Sequence, residues 1–172
     1  TTKWAKAERF ATLKVGPAQP STAVVPERLR TIDPLVRGPV VPTRTVKLGF
    51  RLSLQRGVDF VVNGERHHHA EPVQVGALQV WDLVNVTAMD HPFHLHGFFF
   101  QRRGAAADEA EWKDTINIPM KTTARFLVTF DERPGEWMFH CHILDHAEGG
   151  LMGTVIVGDG PDTTRHVHPR KQ

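Results

Sequence analysis

Two short histidine clusters carry the chemistry of this chain. His91, His94 and His96 lie within HPFHLH, and His140, Cys141, His142 and His146 lie within HCHILDH. Together they hold six of the eleven histidines and the single cysteine. Imidazole nitrogen and thiolate sulfur are the donors that copper and zinc select. In an extended strand, residues two apart share a face. His94 and His96 then point one way, and His91 points the other. His140 and His142 share a face, and Cys141 between them points to the opposite side. One pair of strands therefore serves two metal sites, one on each face.

Cys141 and His146, joined by His91, form a two-histidine, one-thiolate set. That is the equatorial ligand set of a trigonal blue-copper electron-transfer site, and zinc accepts the same donors. Zinc, however, leaves His140 and His142 without a role. A second set of His94, His96, His140 and His142 offers four imidazoles and no carboxylate, which suits copper. Cys141 is bonded in sequence to a member of that set on either side, a covalent route for electrons. The pattern points to substrate oxidation at one site and oxygen chemistry at the other.

The elements that position these residues read as strands. Segments 45–54, 60–62, 78–86, 98–102, 124–130, 136–140 and 153–157 are rich in β-branched and aromatic residues. Turn signals at Asn63-Gly64, Val75-Gly76 and Pro134-Gly135 separate them. Only Leu144–Glu148 and 105–111 read as helical. Short strands with regular turns predict an all-β sandwich or barrel. Residues 10–15 alternate as a half-buried strand does. Six of the twelve prolines follow within 16–44, which reads as an extended linker. The expected organisation is a strand at 1–15 completing a preceding domain, the linker at 16–44, a domain at 45–158 and a polar tail at 159–172.

Composition sets the bounds. The 172 residues, 40% of them hydrophobic, suffice for one well-packed domain. The 21 basic and 19 acidic residues leave a net charge of +2, without an aromatic-interleaved basic cluster, which argues against nucleic-acid binding. No apolar run reaches the roughly 18 residues that span a bilayer. One cysteine excludes an intrachain disulfide. The start, Thr1-Thr2-Lys3-Trp4, lacks the pattern of a signal peptide. The chain reads as a mature product or as a piece of something longer.

HPFHLHG at 91–97 and HCHILDHAEGGLM at 140–152 resemble the two copper-binding motifs of the C-terminal domain of multicopper oxidases, the laccase family. Trp112-Lys113-Asp114-Thr115 and Val62-Asn63-Gly64 are also similar to that family, and the likeness runs from 45 to 157. It implies a cupredoxin-like Greek-key sandwich. By this resemblance His91, Cys141 and His146 bind a type 1 copper. His94 binds the type 2 copper, and His96, His140 and His142 bind the type 3 pair. It further implies oxidation of phenol-like donors, four-electron reduction of O2 to water, and a periplasmic or secreted location.

The chain departs from the family pattern in three places. The family's trinuclear cluster takes eight histidines in four His-x-His pairs, and only the last-domain half is here. A companion polypeptide is expected to carry the N-terminal cupredoxin domains and the four further ligands. The axial type 1 position, ten residues after Cys141, is Leu151; Met152 is adjacent but faces the other way in an extended segment. A non-coordinating axial residue favours a higher reduction potential. Ala147 stands where some relatives carry a proton-delivering acid, so Glu148 becomes the candidate relay. Alternatives are a stand-alone electron-transfer cupredoxin, a metal-ion oxidase of the same family and, fitting less well, a copper nitrite reductase.

Other conspicuous residues have plainer readings. His67–His69 is expected in a solvated loop, and His166 and His168 in a nonfunctional tail. Asp108, Glu109 and Glu111 read as a solvated loop more readily than as a substrate rim. Trp81 and Trp137 are expected in the core.

Overall fold

The computed structural model describes residues 11–17, 24, 26–27, 31–55, 57–103 and 110–158. The expected helix at 105–109, Asp108, Glu109 and the tail with His166 and His168 lie outside them, as do residues 1–10. The chain divides into two units, Thr1–Thr31 and Ile32–Gln172. In the first, residues 11–17 are exposed and carry no regular structure.

The second unit is a two-sheet sandwich. Its strands are β1 (Arg44–Ser53), β2 (Gly57–Val62), β3 (His68–Val73), β4 (Leu78–Asn85), β5 (His91–Leu95), β6 (Phe100–Arg103), β7 (Trp112–Lys113), β8 (Thr115–Ile118), β9 (Thr123–Thr129), β10 (Gly135–Cys141) and β11 (Met152–Val157). Among the described residues a single short helix, α1 (Leu144–Glu148), interrupts them. One sheet runs β2-β1-β4-β9-β6-β7 and the other β3-β11-β10-β5-β8. Among the described residues no helix is long and apolar enough to cross a membrane.

Alternation builds the core. Trp81 and Leu83 of β4, Phe126 and Val128 of β9, Phe93 and Leu95 of β5, and Phe139 of β10 are all buried. Aromatic rings weld the two sheets together. Trp81 meets Phe139 edge-on at 5.6 Å and Phe93 lies 5.9 Å from Phe126 across the sheets, while within one sheet Phe100 stacks on Phe126 at 4.3 Å. Rings at these separations add attraction beyond the area they bury. Trp81 is fully buried as expected, whereas Trp137 packs against the core only partly buried. The Asn63-Gly64 signal forms a two-residue hairpin turn with both residues at positive φ (50° and 87°). Val62 and Glu65 exchange both backbone hydrogen bonds across it, 2.8 and 2.9 Å.

Three features add to or change the sequence reading. The compact unit begins at Ile32, and residues 32–43, extended and without regular structure, are hydrogen-bonded to the sandwich. Gln101 accepts from Leu35 N–H and donates to Asp33 O, Arg103 donates to Val36 O, and Arg125 donates to Val40 O. Those side chains supply the partners that an extended, proline-rich backbone cannot find in itself. Second, His68 and His69 are not in a loop. They open β3, pairing in parallel with Gly153 and Thr154 of β11, and only His67 sits in the turn at φ 53°. Third, Ala110 and Glu111 are not helical; Glu111 is paired with Lys113.

Candidate metal centre

β5 and β10 lie side by side and antiparallel, with Phe139 opposite Leu95, His140 opposite His94 and Cys141 opposite Phe93. The residues of each pair share a face, so the register sorts the ligands. His91 and Cys141 point into the sandwich with Phe93, Leu95 and Phe139, while His94, His96 and His140 point outward.

On the inner side Cys141 Sγ lies 3.7 Å from His91 Nδ1 and 3.7 Å from His146 Nδ1; the two nitrogens are 3.2 Å apart. His91 is 0% exposed, Cys141 2% and His146 9%. An ion at the centre of a trigonal set, about 2.0–2.1 Å from nitrogen and about 2.3 Å from sulfur, spaces its ligands about 3.6 Å N to N and about 3.8 Å N to S. The observed triangle fits an ion with little movement. His146 arrives from α1, whose N–H groups at His146 and Ala147 donate to Ile143 O. Leu151 N–H donates to His146 O and Cys141 N–H to Leu151 O, tying the ligand loop to β10.

The electrostatics keep the donors ready. Burial, with the neighbouring His146, pushes His91 down to about 4 against the raising pull of Asp90. Burial also lowers His146, opposed by Asp145. Both imidazoles are therefore neutral at pH 7, as metal binding requires. Burial pushes the Cys141 thiol up, and the Ile143 N–H, 3.5 Å from Sγ, works against that shift. A cation in the triangle completes the stabilisation of a thiolate there.

The outer set is open. His96 and His142 are exposed, and His94 and His140 are half-buried. His96 Nε2 and His140 Nε2 are 2.9 Å apart, the His94 and His142 rings 4.9 Å, and the His140 and His142 rings stack at 5.3 Å. His94 Nδ1–H donates to Asp114 O (2.9 Å) and His140 Nδ1–H to Cys141 O (2.8 Å). A carbonyl only accepts, so both rings carry the proton on Nδ1 and present Nε2 outward, the tautomer that an imidazole ligand needs. Burial lowers the pKa of His96, as do His94, His140 and His142. The described residues hold one compact set of three or more ligand atoms, His91–Cys141–His146. The outer four form a face rather than an enclosed site.

Leu151 is buried in the same apolar cluster as Cys141, whereas Met152 lies opposite His140 in the register. Glu148 is exposed; its backbone carbonyl accepts from Arg66. Sequence reasoning missed Phe60, which stacks on His146 at 4.2 Å, and Asn85 and Thr87 behind His91. It also gave Asp114 and Thr115 no role, although Thr115 Oγ1 lies 3.0 Å from His94 Nδ1.

Residues 42–161 match the family model described as multicopper oxidase. The chain belongs to the multicopper oxidase family. It is 31% identical over 142 residues to a laccase of Bacillus subtilis, covering 67% of this chain and 28% of the relative. Its identity to copper resistance protein A of Escherichia coli is 33% over 118 residues, 67% of this chain and 19% of that one. Among solved structures it resembles a laccase from Pediococcus acidilactici (TM-score 0.65, 30% identity, 81% of this chain and 32% of that chain). A second is the McoA multicopper oxidase of Aquifex aeolicus (TM-score 0.61, 28% identity, 77% and 32%). The chain thus spans less than a third of the length of these multicopper oxidases. The fold is all-β and cupredoxin-like, as the motifs led one to expect.

Proposed function

We propose that the chain is the C-terminal cupredoxin domain of a laccase-like multicopper oxidase. His91, Cys141 and His146 would hold type 1 copper, His94 type 2 copper, and His96, His140 and His142 the type 3 pair. Copper held by these residues would supply one-electron oxidation of phenol-like donors at the first set and reduction of O2 to water at the second. The reading rests on one observation: β5, β10 and the turn and helix after β10 set a buried Cys–His–His triangle on one face and four imidazoles on the other. Cys141 belongs to the first, and its neighbours His140 and His142 to the second, so a few covalent bonds connect the two.

The chain's residues divide the work. His146 alone of the triangle keeps some exposure and is where donor electrons enter; Phe60 roofs it. His91 and Cys141 keep water out. Asp114 O and Cys141 O hold two outer imidazoles with Nε2 outward. That face waits for four more histidines from N-terminal cupredoxin domains, on the same polypeptide or another, in the periplasm or outside the cell. Glu148, exposed behind the ligand loop, is the candidate proton relay.

Copper content and oxygen consumption test this. The chain alone should take up type 1 copper and consume no oxygen. Joined to those domains, the assembly should hold one type 1 and three cluster coppers and oxidise phenols. One copper per native assembly, with no oxidase activity, makes the chain an electron-transfer cupredoxin instead. Preference for a metal ion over a phenol would make it a metal-ion oxidase. A second expectation concerns the axial position. Leu151 offers no donor atom, so Leu151→Met should lower the type 1 reduction potential by tens of millivolts in a redox titration of the visible band. An unchanged potential would remove Leu151 from the axial position.

A further inference from the structure

Behind His91 stands a buried polar chain that the ligand set does not account for. Thr87 Oγ1 lies 2.8 Å from His91 Nε2, the ring nitrogen remote from Cys141. The same hydroxyl lies 2.8 Å from Asn85 Oδ1 and 3.0 Å from Met89 O. Asn85, Thr87 and His91 are each at most 1% exposed.

The directions of these bonds follow by elimination. Asn85 Nδ2 faces three carbonyl oxygens, Met89 O at 2.8 Å, Ile118 O at 3.0 Å and Pro119 O at 3.1 Å. Flipping the amide would set oxygen against oxygen three times, so Nδ2 donates there and Oδ1 faces Thr87. Asn85 Oδ1 also accepts the Thr87 N–H at 2.9 Å. The Thr87 hydroxyl has one proton and two neighbours, Asn85 Oδ1 and Met89 O, that only accept. Aimed at His91 instead, its proton would leave both oxygens against the hydroxyl oxygen with no proton between, so it goes to one of them, and towards His91 the hydroxyl acts as an acceptor. His91 must then carry its proton on Nε2, which leaves the Nδ1 lone pair aimed into the triangle with Cys141 and His146.

We propose that Thr87, oriented by Asn85, is a positioning residue that selects the metal-binding tautomer of His91 and fixes its ring. The inference rests on His91 being a copper ligand and adds what holds it in readiness. The anchor reaches well beyond β5. Asn85 closes β4, and its amide is held by Ile118, the last residue of β8, and by Pro119 after it, so the ligand is referenced to the sheet framework rather than to its own short strand. Ligand histidines are in general tuned by the partner of their second nitrogen, and losing that partner costs about 10–100-fold in metal affinity.

Three variants and one variant-free measurement test this. In Thr87→Val the hydroxyl is replaced at equal volume. Copper(II) affinity of the full chain should fall about 10–100-fold, with a shift in the thiolate-to-copper absorption band. Thr87→Ser keeps the acceptor and should restore both to near the parent values. Asn85→Leu should reproduce Thr87→Val more weakly. A merely structural role would lower the denaturation midpoint in Thr87→Val and leave affinity and band unchanged, which would overturn the proposal. Should Thr87→Val fail to fold, nitrogen NMR of the metal-free parent chain decides. His91 should appear as the Nε2–H tautomer; a proton on Nδ1 would overturn the proposal. If the parent chain binds copper without a thiolate band, the type 1 reading itself fails, whatever the NMR shows of His91.

Discussion

Replacing Cys141 by serine should abolish the visible copper band and cut donor oxidation by the complete assembly on the order of 1000-fold or more. The magnitude follows from its place in the triangle. Losing a group that merely supports a ligand costs about 10–100-fold, and Cys141 is itself the thiolate that the trigonal set requires. Serine Oγ sits on a shorter bond and stays protonated at neutral pH, so it offers neither the soft donor nor the charge. The covalent route is lost at the same atom, because Sγ joins the triangle to the backbone that carries His140 and His142. Folding should change far less. Cys141 is 2% exposed, and burying a hydroxyl in its place costs about 1–3 kcal/mol, offset in part by the nearby His91 and His146 nitrogens. The measurements are the visible spectrum, copper content and oxygen uptake of the assembled protein, with a urea midpoint as control. Copper on the outer face should remain, and a variant that keeps the band or the activity would show that electrons do not enter through this sulfur.

Much of this site was legible before the structure because a strand has a period of two residues. HPFHLH and HCH carry their sorting in their spacing, and the register of β5 and β10 only had to put His140 opposite His94 to make two faces. The helix at Leu144–Glu148 and the Asn63-Gly64 turn were legible because they too are set by local chemistry rather than by distant partners. What was hidden depends on distant partners. Asn85 falls at the end of a strand pattern and Thr87 just beyond it with nothing in sequence to mark them, and their role depends on carbonyls 33 and 34 residues away. His67–His69 is polar and follows a turn, yet pairing with β11, more than eighty residues on, makes a strand of its second half. Residues 32–43 carry prolines and little periodicity. Gln101, Arg103 and Arg125, all remote in sequence, hold that segment against the sandwich. Phe60 escaped because no one-dimensional pattern places β2 over α1.

Gly97, directly after His96, should be highly sensitive to substitution although it is not itself a ligand. Its φ is 77°, and a Cβ there would lie 2.2 and 2.3 Å from ring carbons of Trp137. The indole has little room to yield. Its Nε1–H donates to Arg133 O at 3.0 Å and Phe98 meets it edge-on at 5.0 Å. Left-handed backbone costs a residue with a side chain about 1–2 kcal/mol, and forcing a methyl into packed surroundings adds about 1–3 kcal/mol. Gly97→Ala should therefore lose about 2–5 kcal/mol, a large share of the roughly 5–15 kcal/mol available to a domain. A urea titration with an unchanged slope reads this as a lower midpoint. The two terms separate in a double-mutant cycle. Trp137→Ala opens the space, so Gly97→Ala in that background should cost only the backbone term. The functional loss should fall on one face. His96 precedes the strained residue and its nitrogen is 2.9 Å from that of His140, whereas His91 and Cys141 are anchored on the other side of β5 and β10. In protein that still folds, oxygen reduction should fall while the thiolate-to-copper band persists. An unchanged midpoint in Gly97→Ala would contradict the steric account, and loss of the band together with oxygen reduction would contradict the separation of the two faces.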